Sequence, residues 1–214
     1  MSEITGSPEP EDPLAPLWKK AYEAERNGDM PGILFIWKAL AERGVWQLLA
    51  RIGELYERGA TGVEPNVEQA IYWYRKAVFE CDDPIGHLGL GRAYYTGIGL
   101  QQNFQEAQSH FKKAHTLGLP DAAVYLGLMF SRGHGVVRDL GQAETYFRFA
   151  ADQSYFVAFY LLANIAFKRG NLIRAARLFL RGWSLARRIL RTEPSDSRLL
   201  LGINWSKNWL NEPD

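Results

Sequence analysis

Four histidines, His87, His110, His115 and His134, and one cysteine, Cys81, are the side chains in this 214-residue chain best suited to binding a transition metal or supplying a nucleophile near neutral pH. A metal centre needs such residues in closely spaced sets with each other or with acids, and no such set occurs. Glu106 and His110 stand one helical turn apart, a spacing for acid/base work that a plain surface pair meets equally well. Cys81 has no neighbouring base to activate it and reads as a buried or inert thiol. Gly86-x-x-Gly89-x-Gly91 is glycine-rich, but no strand precedes it, so a phosphate cradle is not indicated. Chemistry at a catalytic centre, a cofactor or a metal is therefore not what these residues point to. Recognition by a surface is what remains.

Charge supplies one such surface. Residues 1–83 carry a net charge of −6 and residues 84–214 a net charge of +7. No acid occurs between Asp152 and Glu193, while Lys168, Arg169, Arg174, Arg177, Arg181, Arg187, Arg188 and Arg191 are all basic. On a helix Arg174, Arg177, Arg181, Arg188 and Arg191 form one stripe, with Leu172, Ala175, Ala176, Phe179, Ala186 and Ile189 on the core-facing side. The stripe suits a solvated face or an acidic protein segment, including the acidic half of a neighbouring copy in a weak head-to-tail contact. A net charge of +1 and the lack of any nucleic-acid module argue against DNA or RNA as the main ligand.

The elements that must position these side chains are written in a repeat. Ile52-Gly53-x-x-Tyr56-x-x-Gly59, Leu90-Gly91-x-x-Tyr94-x-x-Gly97 and Leu126-Gly127-x-x-Phe130-x-x-Gly133 recur at intervals of 38 and 36 residues. Each is followed by a second block: Ala70-x-x-Trp73-Tyr74-x-Lys76-Ala77, Ala107-x-x-His110-Phe111-x-Lys113-Ala114 and Ala143-x-x-Tyr146-Phe147-x-Phe149-Ala150. The i, i+4, i+7 order of small, aromatic and small residues puts all three on one helix face. A glycine inside a helix costs about 1 kcal/mol relative to alanine, so Gly53, Gly91 and Gly127 imply that two backbones approach closely there. Gly59, Gly97 and Gly133 are helix stops, and Asn66 with Gln69, Asn103 with Glu106 and Asp139 with Gln142 stand at capping-box spacing. Each unit thus reads as helix A, loop, helix B. A unit this small buries its apolar face only by stacking on its neighbours.

Together these blocks resemble the Sel-one-like repeat, a longer-looped relative of the tetratricopeptide repeat. Leu126 to Ala150 fits the pattern almost throughout. In Leu90 to Ala114, Leu100 and Asn103 replace the usual Val and Asp, and Ile52 to Ala77 has a loop longer by one residue. Leu17 to Gly44 and Leu162 to Gly182 are weaker flanking units. The resemblance implies an all-α, right-handed solenoid of about five antiparallel helix pairs over residues 15–194. An acidic, disordered leader is expected at 1–14 and a C-terminal capping helix and tail at 195–214. Transferring the tetratricopeptide register places Trp18, Tyr22, Arg26, Glu54, Arg58, Arg92, Tyr95, Leu128, Arg132, Tyr160, Asn164 and Lys168 on the inner face of the A helices. Tyr, Trp and Arg dominate protein-binding hot spots.

The expected function is a non-catalytic scaffold or adaptor binding an acidic or extended protein segment on that concave face, with Arg177 and Arg181 on the outer stripe as further contacts. The resemblance also admits a cognate inhibitor such as a bacterial toxin immunity protein, or an enzyme of unrecognised type. Some secreted members of the family carry a Cys pair in every repeat. With Cys81 alone no internal disulfide can form. A cytoplasmic protein, free of membrane and monomeric apart from the head-to-tail contact, is the accompanying expectation.

Overall fold

The computed structural model describes residues 12–192. The expected leader lies outside the described residues as far as residue 11, and the expected capping helix at 195–214 lies outside them altogether.

Helix A and helix B alternate as the repeats prescribe. The first compact unit, up to Gln101, holds α1 (Ala15–Asn27), α2 (Met30–Ala41), α3 (Gln47–Arg58), α4 (Val67–Cys81) and α5 (Pro84–Thr96). The second, from Gln102, holds α6 (Phe104–Thr116), α7 (Pro120–Arg132), α8 (Leu140–Asp152), α9 (Phe156–Lys168) and α10 (Leu172–Thr192). Within each unit consecutive helices pack on one another, and α3 also touches α5 in the first. There is no strand among the described residues, only an isolated bridge between Ala60 and Val63. The chain is an all-α solenoid.

The capping residues act as their types require, with one difference. Asn66 Oδ1 accepts from the Gln69 amide at 2.9 Å, Asn103 Oδ1 from Gln105 and Glu106, and Asp139 Oδ1 from Gly141 and Gln142. The returning half of the capping box is supplied by backbone instead. The Asn66 amide donates to the Tyr56 carbonyl at 2.7 Å and the Asp139 amide to the Phe130 carbonyl at 2.8 Å. These two bonds tie the start of α4 to the last turn of α3 and the start of α8 to the last turn of α7. Gly97 and Gly133 end their helices in the left-handed region. Gly59, with φ 69° and ψ 170°, does not, and its longer loop closes through the Ala60–Val63 bridge.

Gly53 and Gly127 meet aromatic rings first, and Gly53 has the Ala70 carbonyl oxygen close by as well, 3.3 Å from where a Cβ would stand. The buried Tyr74 ring lies between α3 and α5, where a Cβ on Gly53 would fall 2.7 Å from it and one on Gly89 2.5 Å. In the second unit a Cβ on Gly127 would stand 2.4 Å from the Phe147 ring. Large side chains of the B helices thus seat in notches on the A helices, each fully buried ring contributing about 1.5–3 kcal/mol. Gly86 and Gly89, which had raised the question of a phosphate loop, are buried inside α5 against Tyr74 and Ala77.

Candidate protein-binding surface

In the first unit α3 and α5 bring four charged residues together. Arg92 hydrogen-bonds Glu57 Oε2, the same oxygen that accepts from the Tyr74 hydroxyl at 2.6 Å. Arg58 and Glu54 pair at 3.4 Å. Burial raises the Glu54 pKa, with Arg58 and Arg92 acting against it. Burial pushes the Tyr74 hydroxyl pKa well up, and the Glu57 charge adds to this, so Tyr74 stays a donor to Glu57. A pocket of about 130 Å³ opens beside this cluster, lined by Val67, Ala70, Ile71, Gly89, Ala93, Thr96 and Ile98 with Glu57, Tyr74 and Arg92. On α1, Trp18, Tyr22 and Arg26 are exposed, Tyr22 to 67%. Tyr95 is half-buried.

The second unit corrects two readings. Leu128, assigned to the inner face, is only 3% exposed and belongs to the core with Phe147 and Phe159. On α10 the buried row is Ala175, Gly182 and Ile189, with Leu178, Leu185 and Ala186 beside it. Leu172 and Phe179, read as core, are 61% and 52% exposed, and Ala176 is exposed too. The helix is rotated from the expected face because Gly182 lets it approach α9, where an added Cβ would be 2.9 Å from Phe159. Arg132, Arg177 and Arg181 are exposed, and Arg181 places its guanidinium 5.2 Å over the Phe159 ring. Tyr160 is half-buried, edge-on to Phe179 at 5.3 Å, and Asn164 is half-buried.

Arg174, the first member of the stripe, has a structural partner that sequence reasoning missed. Glu144, buried on α8, bonds Arg148 and Arg169 at 2.7 Å each and Arg174 at close range. Burial works to raise its pKa. The hydrogen bond and charge of Arg174, helped by Arg148 and Arg169, outweigh that and hold the pKa below the usual carboxylate value. The signal was an acid directly after Ala143, where the first repeat has Ile71, with Arg148 one turn on.

Three of the histidines are held by ion pairing or by ring contacts. His87 is buried and pairs with Asp82 at 2.9 Å. His134 stacks on Phe104 with ring centres 4.9 Å apart, and His115 stands edge-on to Phe149 and Tyr146. Cys81 is exposed as a residue, but its sulfur, 3.3 Å from the Ala77 carbonyl, is partly shielded from water, and that desolvation, with the Asp83, Glu80 and Asp82 charges, pushes its pKa up. A raised pKa means less of the reactive thiolate. Among the described residues no group of three His, Cys, Asp or Glu side chains could hold a metal. No described helix is long and apolar enough to cross a membrane.

The Sel1 repeat model matches residues 47–78, 84–119 and 120–155, each an A/B pair of the structure. An uncharacterised protein of Neisseria meningitidis serogroup B is 30% identical over 68% of this chain and 30% of its own length. The chain spans less than a third of the curated relatives it matches. Among solved structures, a Sel1 repeat protein from Oxalobacter formigenes has a TM-score of 0.64 and 26% identity over 71% of this chain and 61% of that one. An immunity protein from Pseudomonas aeruginosa shares the fold, with a TM-score of 0.56 and 24% identity over 89% of this chain and 77% of that one. Sel1 repeat proteins are in general scaffolds for protein interaction. With three matched repeats, paired A and B helices in register with them, and neighbours of the same fold, the chain is a Sel1-like repeat protein.

Proposed function

We propose that the protein is a non-catalytic adaptor that binds a protein segment through the A-helix faces of its units. The observation that carries this is the set of exposed aromatic and arginine side chains at the register positions: Tyr22 and Arg58 in the first unit, Arg132 in the second. Planar side chains lose little entropy on binding, and arginine forms paired bonds to carboxylates. Arg92 and Tyr95 contribute in the first unit and Tyr160 and Asn164 in the second. Exposed Arg177 and Arg181 on α10 steer an acidic segment toward it.

The test is affinity capture from the source organism, identification of the partner by mass spectrometry, and titration with the purified pair. Tyr22→Ala, Arg58→Ala and Arg132→Ala together are expected to weaken the complex by a few kcal/mol, on the scale of hot-spot loss, with an unchanged melting temperature. Binding as tight as the parent's would move the site off these faces. A second reading, inhibition of a cognate toxin, draws on the shared fold of the Pseudomonas aeruginosa immunity protein. It uses the same surface. A partner that is itself a toxin, encoded next to this protein and silenced by it, would select that reading.

A further inference from the structure

The two units carry arginine clusters of different charge. In the first, Glu54 and Glu57 on α3 meet Arg58 and Arg92, two carboxylates against two guanidiniums. In the second, the single carboxylate of Glu144 takes three. Arg148 and Arg174 share its Oε1, and Arg169 bonds its Oε2 at 2.7 Å. Two positive charges are left unbalanced. The chain has no acid between Asp152 and Glu193, and Asp139, just before α8, uses its Oδ1 to cap that helix. One turn along α10 from Arg174, Arg177 adds a further exposed cation.

The cluster exceeds what Glu144 itself requires, since one guanidinium is enough to neutralise a carboxylate. Each arginine has five N–H donors and commits one nitrogen to Glu144. Arg148 is 60% exposed, Arg169 44% and Arg174 39%, so the remaining donors reach solvent. Their common hold on a buried carboxylate also fixes three long side chains in place, which lowers the entropy lost when they meet a ligand. Two apolar side chains border them in the chain. Phe167, 64% exposed, stands two residues before Arg169, and Ile173, 69% exposed, directly before Arg174. The turn between them is short and tied down: the Asn171 amide donates to the Ala166 carbonyl, and Asn171 Oδ1 accepts from the Arg174 amide at 3.0 Å. Arginine beside exposed aromatic and aliphatic groups is the composition of binding hot spots and interface cores.

We propose that this end of the second unit, Arg148, Arg169 and Arg174 with Phe167 and Ile173, docks an acidic segment of a partner protein that carries two carboxylates beside one apolar residue. The inference goes beyond the A-helix faces, because these arginines come from α8, the end of α9 and the start of α10. Two carboxylates match the two unbalanced charges, and the apolar residue lies against Phe167 or Ile173. A single phosphate fits less well. The point on which all three guanidiniums converge is held by Glu144, so the uncommitted donors diverge from it.

A phage-displayed library of random dodecapeptides, panned on the full chain, supplies the probes. Enriched peptides are expected to carry two Asp or Glu residues beside an apolar one. By fluorescence polarisation, Arg148→Gln with Arg169→Gln, which leaves Arg174 on Glu144, is expected to weaken their binding about tenfold or more. Arg187→Gln with Arg191→Gln removes the same charge farther along α10 and is expected to change it by less than about twofold. Equal losses in the two double variants would reduce the effect to bulk charge and overturn the site. Should the first variant fail to fold, Phe167→Ser with Ile173→Ser, on exposed positions outside the ion pairs, is expected to weaken binding about fivefold, and parent-like binding there would overturn the site. So would a consensus without acids, no enrichment, or displacement of the peptides by inorganic phosphate. If peptides bind the Arg148 and Arg169 variant like the parent while its self-association is lost, the patch belongs to a second copy instead. The Tyr22, Arg58 and Arg132 variant is expected to bind the peptides as the parent does and to lose only the captured partner, so failure of this site and failure of the adaptor reading give different results.

Discussion

At the scale of single residues, Glu144 and Gly127 show how little room this fold leaves. A carboxylate that is 7% exposed and bonded to three guanidiniums holds α8, the end of α9 and the start of α10 in one arrangement. Its pKa lies below the ordinary carboxylate value in the folded state. The stability it contributes is therefore fully present above the unfolded pKa, about 4.3 for Glu, and is lost as pH falls from there through the folded value. Glu144→Gln is expected to cost about 1–3 kcal/mol near neutral pH and to make the melting temperature less sensitive to acid. Thermal denaturation of both chains between neutral pH and the acid range checks this, and parallel curves would mean the network contributes nothing. Gly127→Leu forces a side chain into Phe147, and overpacking of this kind costs about 1–3 kcal/mol. An unchanged urea midpoint would show that the ring can move away.

The element that departs most from expectation is α10. Its arginines and its apolar row are both real, but the buried side is Ala175, Leu178, Gly182, Leu185 and Ile189, and Leu172, Phe179, Trp183 and Leu190 are left about half exposed or more. Residues 195–214 contain Leu199, Leu201, Ile203, Trp205, Trp209 and Leu210 and follow this helix directly. These residues lie outside the described ones, and the expectation that they cap the last helix pair, since end units of a stacked repeat close an open core, is tested by removing them. Truncation after Pro194 is expected to lower the urea midpoint and raise binding of an apolar dye. A truncated chain of full stability that loses its protein partner would identify the tail as a binding element instead. On the same helix, Arg177→Glu with Arg181→Glu is expected to slow association with an acidic partner and flatten its salt dependence, with little change in dissociation rate. Stopped-flow mixing at several ionic strengths separates these effects.

Across the molecule, charge is divided: −6 before residue 84 and +7 after it. Opposite halves of two copies attract, so sedimentation is expected to show weak self-association at low salt that vanishes at about 1 M salt, where the Debye length is about 3 Å. Persistence at high salt would point to an apolar contact. The helical repeat itself was legible from the sequence because its signals are local and mutually consistent: a period near 36 residues, aromatic and small residues at helical spacing, capping residues where each helix B begins. Other features were not local. Gly53 and Gly89 are 36 residues apart and become neighbours only through the Tyr74 ring; Glu57 meets Arg92 across 35 residues, and Glu144 meets Arg174 across 30. Leu128 and Phe179 kept a correct helical register while their exposure was misjudged, because periodicity assigns a residue to a stripe and only the packed neighbour decides whether that stripe is covered. The sequence by itself thus determined the repeat, its helix pairs and the lack of any closely spaced catalytic set. Tertiary packing decided which arginines are tied into ion pairs, as Arg92 and Arg174 are, and which apolar residues are covered, since both outcomes depend on the volume and charge of side chains brought together from distant repeats.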